Sequence, residues 1–204
     1  MRKLFVASLA MAVIVGMGFM PAAAEDKKEK LKVEIEVPYV PTAKGVVAAM
    51  LKLAAVKEGD TVYDLGCGDG RIVVAAVKDF KAKKALGVDF NPERLKDCQA
   101  TMKEAKLTTA QTKAITFKQG DVLKLTPEDF KDVDVVTLYL LPSVNKQLKP
   151  VLLKGLKPGA RVVSHDFDMG DDWMEDKKEE VRAADDFGNE RTHTIYLWTI
   201  KEKK

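Results

Sequence analysis

The chain has 204 residues, 46% of them hydrophobic and 32% charged, with a formal net charge of +3 at neutral pH. That length suits one domain able to bury its own core, and that mixture excludes a disordered or fibrous chain. The near balance of charge excludes a protein that grips nucleic acid by electrostatics alone.

The N-terminus reads as an export segment. Arg2 and Lys3 precede an uncharged apolar run over 4–20, and Ala22, Ala23 and Ala24 close it. This is the three-part pattern of a secretory signal, with cleavage expected after Ala24. The alternative is a retained membrane anchor, because the run reaches the lower length limit for a spanning helix. In both readings the basic head stays inside and the domain is expected outside the cytoplasm, periplasmic or extracellular, with membrane contact only if the segment is retained. Arg2 and Lys3 are two of the 34 basic residues and 1–24 holds none of the 31 acidic ones, so the remainder carries about +1. No nucleic-acid partner is expected.

Residues 25–37 form a polar arm in which 31–37 alternates apolar and charged residues like an extended segment or edge strand. Pro38 and Pro41 interrupt pairing, and Thr42 is placed to cap a helix running to about Leu53. A strand-and-helix unit then repeats. Strands are expected at 61–64, 85–89, 115–119, 133–140 and 160–165, with helices at 70–80, 92–106 and 143–156. Short apolar strands separated by helices give a mostly parallel sheet covered on both faces, a doubly wound α/β domain over 38–204. The last two strands, 179–184 and 192–200, are joined by too few residues for a crossover helix, so they form an antiparallel hairpin. Cys67 and Cys98 fall in different elements, and no structural disulfide is expected between them.

The strongest chemical signal is Asp64-Leu65-Gly66-Cys67-Gly68-Asp69-Gly70-Arg71, between the first strand and the next helix. Alternating glycines let a ligand reach the backbone, and the helix start offers free N–H groups. A dinucleotide fingerprint needs glycine or alanine where Arg71 stands, and a phosphate loop needs Gly-Lys-Ser or Gly-Lys-Thr, which is missing here. A nucleoside cofactor without pyrophosphate fits better. Asp89 closes the second strand, where its carboxylate can accept both hydrogen bonds of a ribose diol; capping the following helix is its alternative role. Asp121 closes the third strand and can accept from an adenine amino group, with Val122 beside the ring. Asp64, Asp89 and Asp121 thus converge on the crevice where open α/β sheets bind ligands.

On these residues the chain resembles the class I S-adenosylmethionine (AdoMet) methyltransferases over about 37–201. The resemblance implies AdoMet as cofactor, Asp64, Gly66, Cys67, Gly68, Asp69 and Gly70 as its loop, Asp89 as the ribose acid and Asp121 as the adenine-side acid. It also implies seven strands in the order 3-2-1-4-5-7-6 with strand 7 antiparallel, in agreement with the hairpin. A narrower similarity is to the mitochondrial lysine methyltransferases that modify an ATP-synthase subunit and the adenine-nucleotide translocase. Tyr39-Val40-Pro41-Thr42 is similar to their entrance sequence, which places Thr42 beside the cofactor, and the loop matches theirs except at Cys67, where serine is usual. Leu138-Tyr139-Leu140-Leu141-Pro142 corresponds only loosely, and the leader and His165-Asp166-Phe167-Asp168 depart from the pattern. The implied substrate is a protein or peptide lysine. A small nucleophile is the alternative, and a noncatalytic AdoMet-binding module a third reading.

Methyl transfer from a sulfonium asks mainly that the nucleophile arrive neutral and in line. Tyr39 and Tyr139 are the candidate walls of the acceptor pocket. His165, leaving the fifth strand, is the candidate base, with a supporting hydrogen-bonded ring as its alternative, and His193 is expected to be structural. Asp166, Asp168, Asp171, Asp172, Glu175 and Asp176 form a candidate acidic rim for a lysine or basic peptide. His165, Asp166, Asp168, Asp171 and Asp172 offer enough oxygens for a metal, but their spacing matches no calcium loop and no metal site is expected from them.

Overall fold

The computed structural model describes residues 39–202. The leader at 1–24, the arm at 25–37 and its edge-strand alternative lie outside the described residues. Among the described residues no helix is long and apolar enough to cross a membrane.

The elements run α1 (Lys44–Leu53), β1 (Thr61–Leu65), α2 (Arg71–Lys78), β2 (Lys84–Asp89), α3 (Pro92–Glu104), α4 (Thr109–Ala114), β3 (Ile115–Gln119), β4 (Val135–Leu138), α5 (Pro142–Gly155), β5 (Arg161–His165), β6 (Lys177–Ala184) and β7 (Glu190–Thr199). Seven strands form one sheet in the order β3-β2-β1-β4-β5-β7-β6. β1 pairs in parallel with β2 and β4, whereas β7 is antiparallel to both β5 and β6. The expected doubly wound α/β sheet and its terminal hairpin are therefore present.

Period-two alternation divides the core between the two faces of the sheet. Val135 and Val163 join a cluster with Val46 and Met50 of α1 and Val73 and Val77 of α2. Their neighbours Val136 and Val162 turn the other way, against Leu148 and Leu152 of α5, Phe130 and Trp198. The parallel strands are consequently covered on both sides, and their C-terminal ends open toward one edge.

Several boundaries differ from expectation for local reasons. Ala43, not Thr42, is the N-cap of α1, and no side chain caps that helix. The Thr42 hydroxyl instead lies 3.1 Å from His165 Nδ1 across the fold, so the capping expectation is corrected. β4 is shorter at both ends than the 133–140 run, because Val133 N–H closes a turn on Phe130 and Tyr139 begins the passage to α5. Pro142 occupies the first turn of α5, where its missing N–H does no harm. α4 was not foreseen; Thr108 and Gln111 form a reciprocal capping box at its start.

Candidate active site

The loop after β1 is shaped by backbone hydrogen bonds to the next strand. Gly66 and Cys67 N–H both donate to the Val88 carbonyl, at 2.8 and 3.1 Å. Gly68 and Gly70 have φ of 54° and 77°, a region that penalises a side chain. A Cβ at Gly68 would come within 2.5 Å of the Tyr39 ring, and one at Gly70 within 2.6 Å of Phe117. The alternating glycines thus keep the loop thin between two aromatic rings.

Asp89 ties this loop to the sheet. Its Oδ2 accepts from Gly68 N–H and its Oδ1 from Asn91 N–H, each at 2.9 Å. The cap of α3 is Asn91, whose Oδ1 accepts from Glu93 N–H, so the alternative role weighed for Asp89 belongs to its neighbour. Asp121 Oδ1 accepts from Leu123 N–H and caps the short 3-10 turn Val122–Lys124. Phe90 and Leu123 are exposed at this edge, flanking the exits of β2 and β3. The sequence reading missed Phe90, although an apolar residue directly after Asp89 was the available signal.

Asp64 is nearly fully buried, and strand register sets it opposite Thr137, whose hydroxyl donates to Asp64 Oδ1 at 2.6 Å. Burial pushes its carboxyl up to about 7; the Thr137 hydrogen bond opposes this, while Asp89 and Asp69 add to it. Asp69 faces elsewhere. It grips Arg71 through Nε and Nη2, and the same guanidinium donates to the Thr42 carbonyl at 2.9 Å and to Asp186 at 2.7 Å. Arg71 entered the sequence reading only as an obstacle to pyrophosphate, yet it clamps the loop to the entrance and to the β6–β7 turn.

Cys67 and Cys98 are both free and buried, with sulfurs 4.0 Å apart. The Cys98 thiol donates to the Gly68 carbonyl at 3.1 Å, on the side of the loop that faces α3.

Tyr39 lies over the loop, its hydroxyl accepting from Asp69 N–H at 3.2 Å and its ring facing the Arg94 guanidinium at 4.2 Å. Burial and the Asp69 carboxylate push its phenol up to about 12. Tyr139 stands at the exit of β4 with its ring 3.9 Å from that of His165 and its hydroxyl 3.4 Å from Arg191. The two tyrosines therefore border different parts of the crevice.

His165 has no exposed surface. Its Nδ1 faces Thr42 Oγ1, and its Nε2 lies 2.8 Å from His193 Nδ1. Desolvation lowers it to about 4, against the opposing pull of Asp166. With both nitrogens engaged inside the fold, the ring supports Tyr139 from behind, and the base role expected for it has no geometric footing here. The acidic rim is also less bare than expected. Arg191 pairs with Asp166 at 2.7 Å, Lys149 with Asp172, and Lys201 with Asp176 at 3.5 Å, while Asp168 accepts from Gly170 N–H.

AdoMet brings a ribose diol, an adenine, an ammonium and a sulfonium. The residues present fit it: a thin glycine loop, Asp89 and Asp121 at successive strand ends, the buried Asp64 and an apolar edge at Phe90. Residues 64–177 match the ANTKMT methyltransferase domain. The chain belongs to that family. This ANTKMT-family chain is 45% identical to a protein-lysine N-methyltransferase of Saccharolobus islandicus, over 82% of its own length and 96% of that protein. It is 32% identical to the mouse adenine nucleotide translocase lysine N-methyltransferase over 68% of its length, spanning 56% of that protein. A crystal structure described as an RNA methyltransferase of Salinibacter ruber with S-adenosyl-L-homocysteine shares 43% identity and a TM-score of 0.68, covering 81% of this chain and 96% of that one. The ANTKMT-family chain is an AdoMet-dependent methyltransferase.

Proposed function

We propose that the methyl acceptor is a lysine amine of a protein or peptide. The observation that carries this reading is the acceptor side itself: an aromatic wall, Tyr139, is backed by a buried, uncharged imidazole and carries the Arg191 guanidinium at its hydroxyl. The Arg191 guanidinium at the Tyr139 hydroxyl disfavours a second cation there, so an arriving lysine sheds its proton before reaching the wall. AdoMet supplies a methyl group activated on a sulfonium. The chain's own part is positional: Asp89 and the glycine loop fix the nucleoside, and Tyr139 confines the amine to the line of attack. The relatives named for lysine methylation support the same reading.

The relative named for RNA raises a second substrate class. Charge argues against it. A cavity of about 290 Å³ beside the loop and α3 is lined by Asp69, Asp97, Glu104 and Asp186 together with Arg71, a poor surface for a polyanion. The export pattern of 1–24 further supports action outside the cytoplasm, where the source of AdoMet must also lie; N-terminal sequencing of host-derived protein is expected to begin at Glu25, and an intact Met1 in cytosol would remove this part.

Leaderless protein incubated with labelled AdoMet and an extract of its own cell envelope should label lysine side chains, as read by mass spectrometry. Label confined to RNA or to a small metabolite, with Asp89→Ala as the inactive control, would overturn the lysine reading.

A further inference from the structure

His165 and His193 are the only two histidines in the sequence, and strand register brings them together. His165 pairs with Ile195, and His193 lies two residues along β7 on the same face. Asp166 completes the group from an unusual backbone position, a non-glycine residue with φ of 59°. Such strain persists only where the surroundings impose it, and here it turns the carboxylate back onto the two rings.

We propose that His165 Nε2, His193 Nδ1 and Asp166 Oδ2 form a site for a divalent first-row transition ion, of which zinc is the chemical type. The three atoms lie 2.8, 3.3 and 3.9 Å from one another. Ligands about 2.1 Å from one ion sit roughly 3.0 to 3.4 Å apart, so shifts of a few tenths of an ångström seat all three. Two imidazoles and one carboxylate on one face of an ion leave its other positions open to water.

Supporting contacts are already in place. His165 directs its remaining nitrogen to the Thr42 hydroxyl, and Asp166 Oδ1 accepts from Thr194 N–H at 3.0 Å. These are the outer hydrogen bonds that orient metal ligands. Arg191 donates to Asp166 Oδ2 at 2.7 Å, which uses one lone pair of that oxygen and leaves the other for an ion. An occupied site would fasten the end of β5 to β7 directly behind Tyr139. The ion would be a clasp for the acceptor wall, whatever the acceptor is.

Tag-free leaderless protein, stripped with a chelator, provides the test. Titration with cobalt(II) should saturate at one equivalent with visible ligand-field bands, and X-ray absorption of the zinc-loaded protein should show two imidazoles around the metal. Because the sequence has no other histidine, that signature identifies the site without any substitution. His193→Ala should weaken cobalt binding roughly 100-fold, and Asp166→Asn by about tenfold. A bound ion lacking imidazole ligands, no binding at one equivalent, or undiminished affinity in a folded His193→Ala protein would overturn the proposal. Activity toward lysine is not the readout, so the failure of either proposal leaves the other standing.

Discussion

Asp64 holds a carboxyl that folding withdraws from water and raises from 3.8 to about 7. The folded state therefore binds a proton that the unfolded state has lost between those values, so the stability contributed is present at low pH and declines as pH rises toward 7. The span corresponds to a few kcal/mol at most. Urea unfolding followed from pH 4 to pH 8 should show this decline, and Asp64→Asn should flatten it; equal slopes in both proteins would refute the assignment. Asp89→Ala should weaken S-adenosylhomocysteine binding by about tenfold or more in calorimetry, because it removes the Gly68 tether together with the proposed ribose acceptor. Tyr139→Phe should lower turnover with little change in cofactor affinity, since its hydroxyl meets Arg191 on the proposed acceptor side. At this scale the sequence was informative where a backbone demand restricts residue choice, as at Gly68 and Gly70. The His165–His193 contact was illegible, because it depends on how two strands 28 residues apart come into register.

Elements were legible where an apolar stripe repeated. α5 shows Leu148 and Leu152 four residues apart, and both are buried beneath the sheet. Leu152→Ala should destabilise the domain by roughly 2 to 5 kcal/mol in chemical denaturation, as expected when a packed side chain leaves a partial void. α4 escaped notice for the opposite reason: its residues Thr109–Ala114 bury no side chain fully, and only the Thr108 and Gln111 caps announce it. Thr108→Ala should cost about 1 kcal/mol if that box holds the helix start. Strand ends were the least readable feature, since β4 stops at Leu138 although the apolar run continues through Tyr139, Leu140 and Leu141. Where a strand ends is decided by what pairs with it, and that information sits elsewhere in the chain.

For the whole molecule, the parallel half of the sheet and the closing hairpin followed from the spacing of apolar runs, whereas the place of β7 between β5 and β6 came with the family resemblance. That placement fixes an order of events. β7 follows β6 in the chain, yet it lies inside the sheet, and among the described residues β6 pairs with no strand other than β7. Asp186 in the connecting turn also completes the grip of Arg71, made 115 residues earlier. A nascent chain still missing β7 lacks a closed sheet, and Arg71 then holds only Asp69 and the Thr42 carbonyl, because the turn that presents Asp186 has no strand to close it. Full closure of the Arg71 grip thus waits on β7, so that a segment far along the chain sets when the loop after β1 is finally pinned.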